Sequence, residues 1–243
     1  MNDAKQTILI TGAARRIGAA IAVKLHTAGF DLALHYRESI DDVQRLADDL
    51  NKIRANSVSL YCADLTQFNQ IEEFTRKVGE QVSNLSAVIN NASLFFPTSI
   101  GQTTEADWDQ LHSVNLKAPY FVVQGLVDVL RKNHGCVINI TDIYADRPLS
   151  KHAAYAASKA GLTSLTKSMA SELAPEVRVN AIAPGAILWP ENGSESENIL
   201  QKIPMNRSGD PEDIASAVLF LIQDAPYING QTITIDGGRS VVA

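Results

Sequence analysis

The chain is short of several things, and each shortage removes a class of protein. It has two cysteines, Cys62 and Cys136, 74 positions apart. Both fall within or beside predicted strands, so they are read as small buried hydrophobes rather than as a metal or redox site. The five histidines form no HxxxH or HExxH pair, and no zinc site is indicated. No apolar run approaches the roughly 18 residues that span a bilayer. The N-terminus, MNDAKQTILITG, enters an apolar strand without the cationic segment, apolar core and cleavage site of a signal peptide. A soluble cytoplasmic protein, with no membrane partner, is expected. In such a chain the sequons at Asn84, Asn91, Asn139, Asn192 and Asn206 are chance occurrences. Excess positive charge is lacking too. A net charge of −6 argues against a nucleic-acid binder, while leaving room for a local basic pocket. No linker, repeat or low-complexity tract divides residues 1–243, so one α/β domain is expected.

What the chain does have is alternation. Short apolar runs at 7–10, 32–35, 57–61, 87–90, 136–140, 177–182 and 232–235 read as strands. Most are continuously apolar, as in strands covered on both faces. Helix-length segments lie between them, at 17–28, 40–54, 68–82, 105–133, 152–173 and 211–223. That order implies a parallel sheet wound by helices on both faces. Pro119 should kink or break the long 105–133 segment. Asp210-Pro211 offers an N-cap followed by proline at the first helical position. The irregular stretch 184–208 is long enough to be a lid over a site.

Three patterns carry chemistry. TGAARRIG (11–18) follows a strand and opens a helix, where a glycine loop can aim N–H groups at phosphate. The alternative is a plain β–α turn. At the tip of the next strand, where an acidic residue would bind a ribose 2′-OH, the chain reads His35-Tyr36-Arg37. A guanidinium there suits a 2′-phosphate. Arg15, Arg37 and Ser39 are therefore candidates for the phosphate of NADPH, unless Arg37 is merely a solvated charge.

The third pattern is AAYAASKAG, with Tyr155 and Lys159 four apart on one helix face. Ionising a phenol of pKa about 10 at neutral pH costs about 4 kcal/mol. An ammonium about 4 Å away is worth a similar amount at an effective dielectric near 20. The pair can poise tyrosine for proton transfer, although alone such a spacing is commonplace on helix surfaces.

Together these motifs resemble the short-chain dehydrogenase/reductase family along the whole chain. TGAARRIG, Asp64-Leu65, NNAS (90–93), Asn115 in SVNLKAP, Tyr155-x-x-x-Lys159 and Pro184-Gly185 occur in the family's order. The GDPEDIASAVLFL helix and the ITIDGG ending follow. The resemblance implies a Rossmann-type fold with seven parallel strands. It implies that Tyr155 protonates the substrate and that Lys159 lowers the tyrosine's pKa and holds the nicotinamide ribose. Asn115 would anchor a relay water. Gly12, Arg16, Ile17, Gly18, His35, Tyr36, Asp64, Leu65, Asn91, Ala92, Ser93, Thr141 and Pro184-Gly185-Ala186-Ile187 would complete the cofactor site.

Three departures from the family pattern sharpen the expectation. Arg16 replaces the middle glycine of the loop, Ser93 the glycine of NNAG, and Asp142 the serine expected 13 residues before Tyr155. An ionised carboxylate can only accept hydrogen bonds. Beside a developing alkoxide it would repel charge, whereas a substrate with N–H donors suits it. An enzyme that lost activity with its serine is the alternative. With NNASLFFPT, the three departures resemble the pteridine reductase branch. Arg16, Ser93, Phe95, Asp142, Tyr155 and Trp189 would then bind a pterin, Asp142 and Tyr155 also supplying protons, with Phe95 covering the ring opposite the nicotinamide unless it is ordinary core. Tyr144 and Leu149 are further pocket candidates. The expected activity is reduction of a dihydropterin or dihydrofolate to its tetrahydro form by a homotetramer. The rivals are a short-chain reductase of ketones, ketoacyl carriers or quinones, and a non-catalytic NADPH-binding sensor.

Overall fold

A computed structural model describes residues 5–187 and 200–242. Seven strands form one parallel sheet: β1 (Thr7–Ile10), β2 (Asp31–Tyr36), β3 (Val58–Cys62), β4 (Leu85–Asn90), β5 (Cys136–Ile140), β6 (Arg178–Pro184) and β7 (Thr232–Ile235). Their spatial order is β3-β2-β1-β4-β5-β6-β7, the Rossmann-type arrangement expected.

The apolar strands are buried on both faces, and their alternate residues feed two cores. Ile8 and Ile10 of β1 pack with α1 (Arg16–Thr27), α2 (Ile40–Ile53) and α7 (Pro211–Gln223). Leu9, between them, joins the opposite core with α3 (Phe68–Gln81), α5 (Ala118–Lys132) and α6 (Ala153–Leu173). A period-2 backbone inside a two-sided sandwich of helices explains why these runs lack polar alternation. The winding direction reverses between β1 and β4, opening a crevice at the carboxyl ends of the strands.

One expectation holds and one is corrected. The 105–133 segment is interrupted just before Pro119, as expected: α4 (Glu105–His112) passes through a π-helical turn, Ser113–Lys117, into α5. Pro119 has no N–H to return to the carbonyl of Asn115, so the wider turn relieves the conflict. Cys136 is buried in β5, and burial pushes its thiol up to about 11. Cys62, by contrast, is exposed, because it ends β3 at the edge of the sheet. At α7 the capping reads as anticipated: Asp210 accepts from Glu212 N (2.8 Å) and Asp213 from Asp210 N (2.8 Å). Among the described residues no helix is long and apolar enough to cross a membrane.

Candidate active site

The glycine loop between β1 and α1 is held from three sides. Gly12 has φ +63°, and a Cβ there would lie 2.9 Å from Ala92 Cα. A Cβ on Gly18 would come within 2.2 Å of the Gly12 carbonyl oxygen. Both positions therefore need glycine, one for backbone angle and close approach, the other for approach alone. Asn91 donates from Nδ2 to the carbonyls of Thr11 (3.0 Å) and Gly12 (2.9 Å). The backbone N–H groups of Asn91 and Ala92 donate to Thr11 Oγ1, each at 3.0 Å.

His35 braces the loop from β2. Gly12 N–H donates to its Nδ1 (3.2 Å), which leaves the proton on Nε2 to donate to the Ala63 carbonyl (3.1 Å). Burial holds this neutral imidazole down at about 4, against 6.5 for a free one. Below pH 6.5 the unfolded chain takes up a proton that the folded chain refuses. The stability contributed is thus full above 6.5 and lost as pH falls toward 4, by up to about 3 kcal/mol. Urea midpoints of the parent and His35→Gln at pH 7.5 and 4.5 check this. The parent should lose more stability over that range than the variant.

Arg16 has φ +52°, in the left-handed region. It keeps the backbone conformation of the glycine it replaces, at a steric cost of roughly 1–2 kcal/mol. A bulky residue held at that cost is expected to do work with its side chain, which lines the crevice. Arg16→Gly should raise stability by up to about 1 kcal/mol. It should also lower substrate kcat/KM at least tenfold, as denaturation and steady-state assays would show.

The crevice is a cleft of about 560 Å³ over the ends of β1 to β4. It brings together the loop residues Gly12, Arg15, Arg16, Ile17 and Gly18, and the tip residues His35, Tyr36, Arg37 and Ser39. Asp64, Leu65, Asn91, Ala92 and Ser93 close its far side. Sequence reasoning missed Ala14, Glu38, Ala63, Leu94 and Val114, which also line it. Apart from Glu38 these are apolar and carry no chemical signal; only their neighbours in the motifs could have flagged them. Arg37 pairs through Nη2 with Glu38 (3.0 Å), and Arg15 pairs through Nε with Asp42. Ser39 is the N-cap of α2, its hydroxyl makes no cap bond, and the residue lines the cleft.

A second cluster stands past the end of β5. Asp142 caps a short 3-10 turn (Ile143–Ala145), its Oδ1 accepting from Tyr144 N (2.8 Å). The other oxygen, Oδ2, accepts the Tyr155 hydroxyl at 2.6 Å. Lys159 is fully buried; it donates to the Ile140 carbonyl (2.9 Å) and lies 5.9 Å from the centroid of the Tyr155 ring. Burial lowers its ammonium to about 8. The expected effect of lysine on tyrosine does not prevail here. Burial first, then the Asp142 carboxylate, push the Tyr155 phenol well above its ordinary value. Burial raises the Asp142 carboxyl as well, against the pull of its hydrogen bonds. The Tyr155 hydroxyl therefore stands as a proton donor, directed at Asp142.

Ser93 and Asn115 join the two halves. Asn115 sits in the π turn, and its Oδ1 accepts from Leu94 N (2.8 Å) and the Ser93 hydroxyl (3.2 Å). Its Nδ2 donates to the Leu94 carbonyl (3.0 Å) and to Ser158 Oγ (3.1 Å), whose own proton goes to the Tyr155 carbonyl (2.7 Å). The side-chain amide expected to anchor a water is thus committed to protein, tying the Ser93 loop to α6. Phe95 is 55% exposed, stacked on His152 (4.7 Å between centroids, 13°) and edge-on to Tyr155 (4.7 Å, 89°).

Other candidates are placed elsewhere. The Thr141 hydroxyl is spent on the Ile182 carbonyl (3.0 Å). Pro184 ends β6; Gly185 N–H donates to Ile235 (2.9 Å), and Ala186 accepts from Gly209 N (2.9 Å). Ile187 forms an isolated bridge with Gly209. These residues line no part of the described cleft. Tyr144 lies under Arg239, with Cζ 5.5 Å from its ring centroid, and the Leu149 carbonyl accepts from His152 N (3.2 Å). Trp189 lies outside the described residues.

Comparison with known proteins bears on the fold and the cleft together. A family model described as Enoyl-(Acyl carrier protein) reductase matches residues 12–240. The chain is 33% identical over 240 residues to a Staphylococcus epidermidis 3-oxoacyl-(acyl-carrier-protein) reductase FabG, covering 96% of this chain and 98% of that one. It is 35% identical over 239 residues to the FabG of Thermotoga maritima, covering 95% and 96%. Among solved structures, a blue fluorescent protein from a metagenomic library in complex with NADPH superposes with a TM-score of 0.91. It is 27% identical, over 96% of this chain and 97% of that one.

Proposed function

The chain belongs to the short-chain dehydrogenase/reductase family, and we propose that it is an NADPH-dependent oxidoreductase whose substrate is a pteridine. Several features of the cleft support NADPH. The glycine loop opens α1 at the cleft, and Arg15, Arg37 and Ser39 line the same cleft, where guanidinium and hydroxyl groups suit a 2′-phosphate. A solved structure of high likeness carries the same cofactor. NADPH, when bound, supplies the hydride. The residues of this chain bind it, orient the acceptor and deliver the proton.

One observation carries the pteridine reading: Asp142 accepts the Tyr155 hydroxyl at 2.6 Å. A keto group beside Tyr155 would develop negative charge next to a buried carboxylate, and at close range like charges raise the barrier by several kcal/mol. A pteridine offers N–H and amino donors to that carboxylate and takes a proton at nitrogen. Tyr155 holds the proton of the hydrogen bond to the Asp142 carboxylate; the phenol can pass that proton to the ring nitrogen and be refilled from solvent. Lys159 balances the charge left behind, and Ser93, Arg16 and Phe95 would bound the flat ring.

A second reading is reduction of a ketoacyl group on a carrier. The relatives' names favour it over the pteridine expected from the sequence, since those relatives are 3-oxoacyl-(acyl-carrier-protein) reductases. The same Tyr155, Lys159 and Asn115 would serve it, but it gives Asp142 and Arg16 no task. NADPH oxidation by the full-length protein, measured against dihydropterins, dihydrofolate, acetoacetyl thioesters and simple ketones, separates the readings. Turnover of dihydropterin alone supports the first. Turnover of the thioester alone replaces it with the second, and cofactor binding without any turnover points to a sensor. Family membership also leads us to propose a homotetramer.

A further inference from the structure

Two arginines reach the rim of the cleft, and they are restrained differently. Arg37 is paired through Nη2, one prong of its fork, with Glu38, whose side chain is 78% exposed. That pair must open before Arg37 can grip a phosphate with both prongs. Arg15 is held through Nε by Asp42, and its two Nη groups make no hydrogen bond among the described residues. Its fork is left free at the cleft.

Asp42 is the fixed partner in this pair. Its side chain is 24% exposed against 67% for Arg15, and its second oxygen accepts from Arg45 Nη2 at 2.5 Å. It stands in the first turn of α2, where the partial positive charge of a helix N-terminus favours a carboxylate. Arg15 itself is the N-cap of α1 with an extended backbone, and its side chain reaches α2 at Asp42. The geometry points to Asp42 as the positioning residue that sets preference for the phosphate-bearing dinucleotide. It holds Arg15 by Nε and leaves the planar fork ready for a 2′-phosphate. This rests on the NADPH reading above.

Two effects of Asp42 oppose one another. Its charge repels a phosphate, but it is shared between two guanidiniums, so the trio stays net positive and the repulsion is screened. Fixing the fork spares Arg15 the rotamer entropy of binding and gives a bidentate contact. The second effect is the larger.

Titrating the full-length protein with NADPH and with NADH tests this. The parent is expected to prefer NADPH. Asp42→Asn should weaken NADPH about five- to tenfold, the worth of one exposed, well-aimed charge-assisted contact. NADH affinity should stay unchanged, Tm should fall by no more than a few degrees, and Asp42→Glu should recover most of the loss. In an Arg15→Gln background, Asp42→Asn should have no further effect. Equal weakening of both cofactors, or tighter NADPH binding in Asp42→Asn, overturns the inference while leaving the cofactor reading intact. A parent without preference for NADPH overturns both.

Discussion

Tyr155→Phe is expected to lower turnover about a thousandfold while leaving NADPH affinity within twofold of the parent. The hydroxyl is the only group lost, and general acid catalysis by a positioned side chain is worth 10²–10⁴ in rate. The variant should also keep its fold, because the ring packs with Leu111 and Ala154 whatever its para substituent. Removing the phenol leaves the Asp142 carboxylate without its 2.6 Å donor, in a place where burial already disfavours charge. Its pKa should rise further, and the residual activity should shift with it along the pH axis. Steady-state kinetics and a cofactor titration check both halves. Turnover near the parent's would remove Tyr155 from the proposed chemistry.

Asp142→Ser is the second large effect, and it separates the two substrate readings. It restores the hydroxyl that the family pattern has at this position. If the substrate is a pteridine, its donors lose a buried anionic acceptor, and charge-assisted bonds of this kind are worth about 1.5–3 kcal/mol each. A fall of at least a hundredfold in kcat/KM for dihydropterin is expected. For a ketone the direction reverses: the carboxylate no longer opposes the alkoxide, and a serine hydroxyl can donate to the carbonyl oxygen. A rise in acetoacetyl thioester reduction with loss of pterin reduction would assign Asp142 the role of choosing the acceptor. Pterin turnover equal to the parent's would mean that the carboxylate has no such role. A variant that lowers both reactions alike would mark Asp142 as support for Tyr155 alone.

The strain at Arg16 and the substitution at Asp142 belong to the same account. Each breaks a local rule of the fold at the candidate site, the first by placing a bulky residue at φ +52°, the second by burying a carboxylate. Such costs persist when the surrounding structure holds them in place. Here Asn91, Thr11 and His35 clamp the loop that carries Arg16, and Tyr144 N and the Tyr155 hydroxyl satisfy Asp142.

Much of this was legible in the chain. Continuous apolar runs alternating with amphipathic ones imply a parallel sheet covered on both faces, because only that arrangement buries every face of each strand. The spacing of Tyr155 and Lys159 puts them on one face of a helix, and the loop glycines mark a turn that a Cβ would block. Those inferences depend on contacts near in sequence or on a simple period. Tertiary structure decided the rest, because it depends on which distant groups come within a few ångströms. His35 lies 23 residues from the Gly12 amide it receives, Asn115 bridges Ser93 and Ser158, and Asp42 reaches Arg15 across 27 positions. The charge state of Tyr155 was decided there as well. Sequence spacing placed an ammonium beside it, but the fold sent that ammonium to the Ile140 carbonyl and set a carboxylate against the phenol. Spacing along a helix fixes which side chains share a face; burial and the partner arriving from β5 determine where the proton sits.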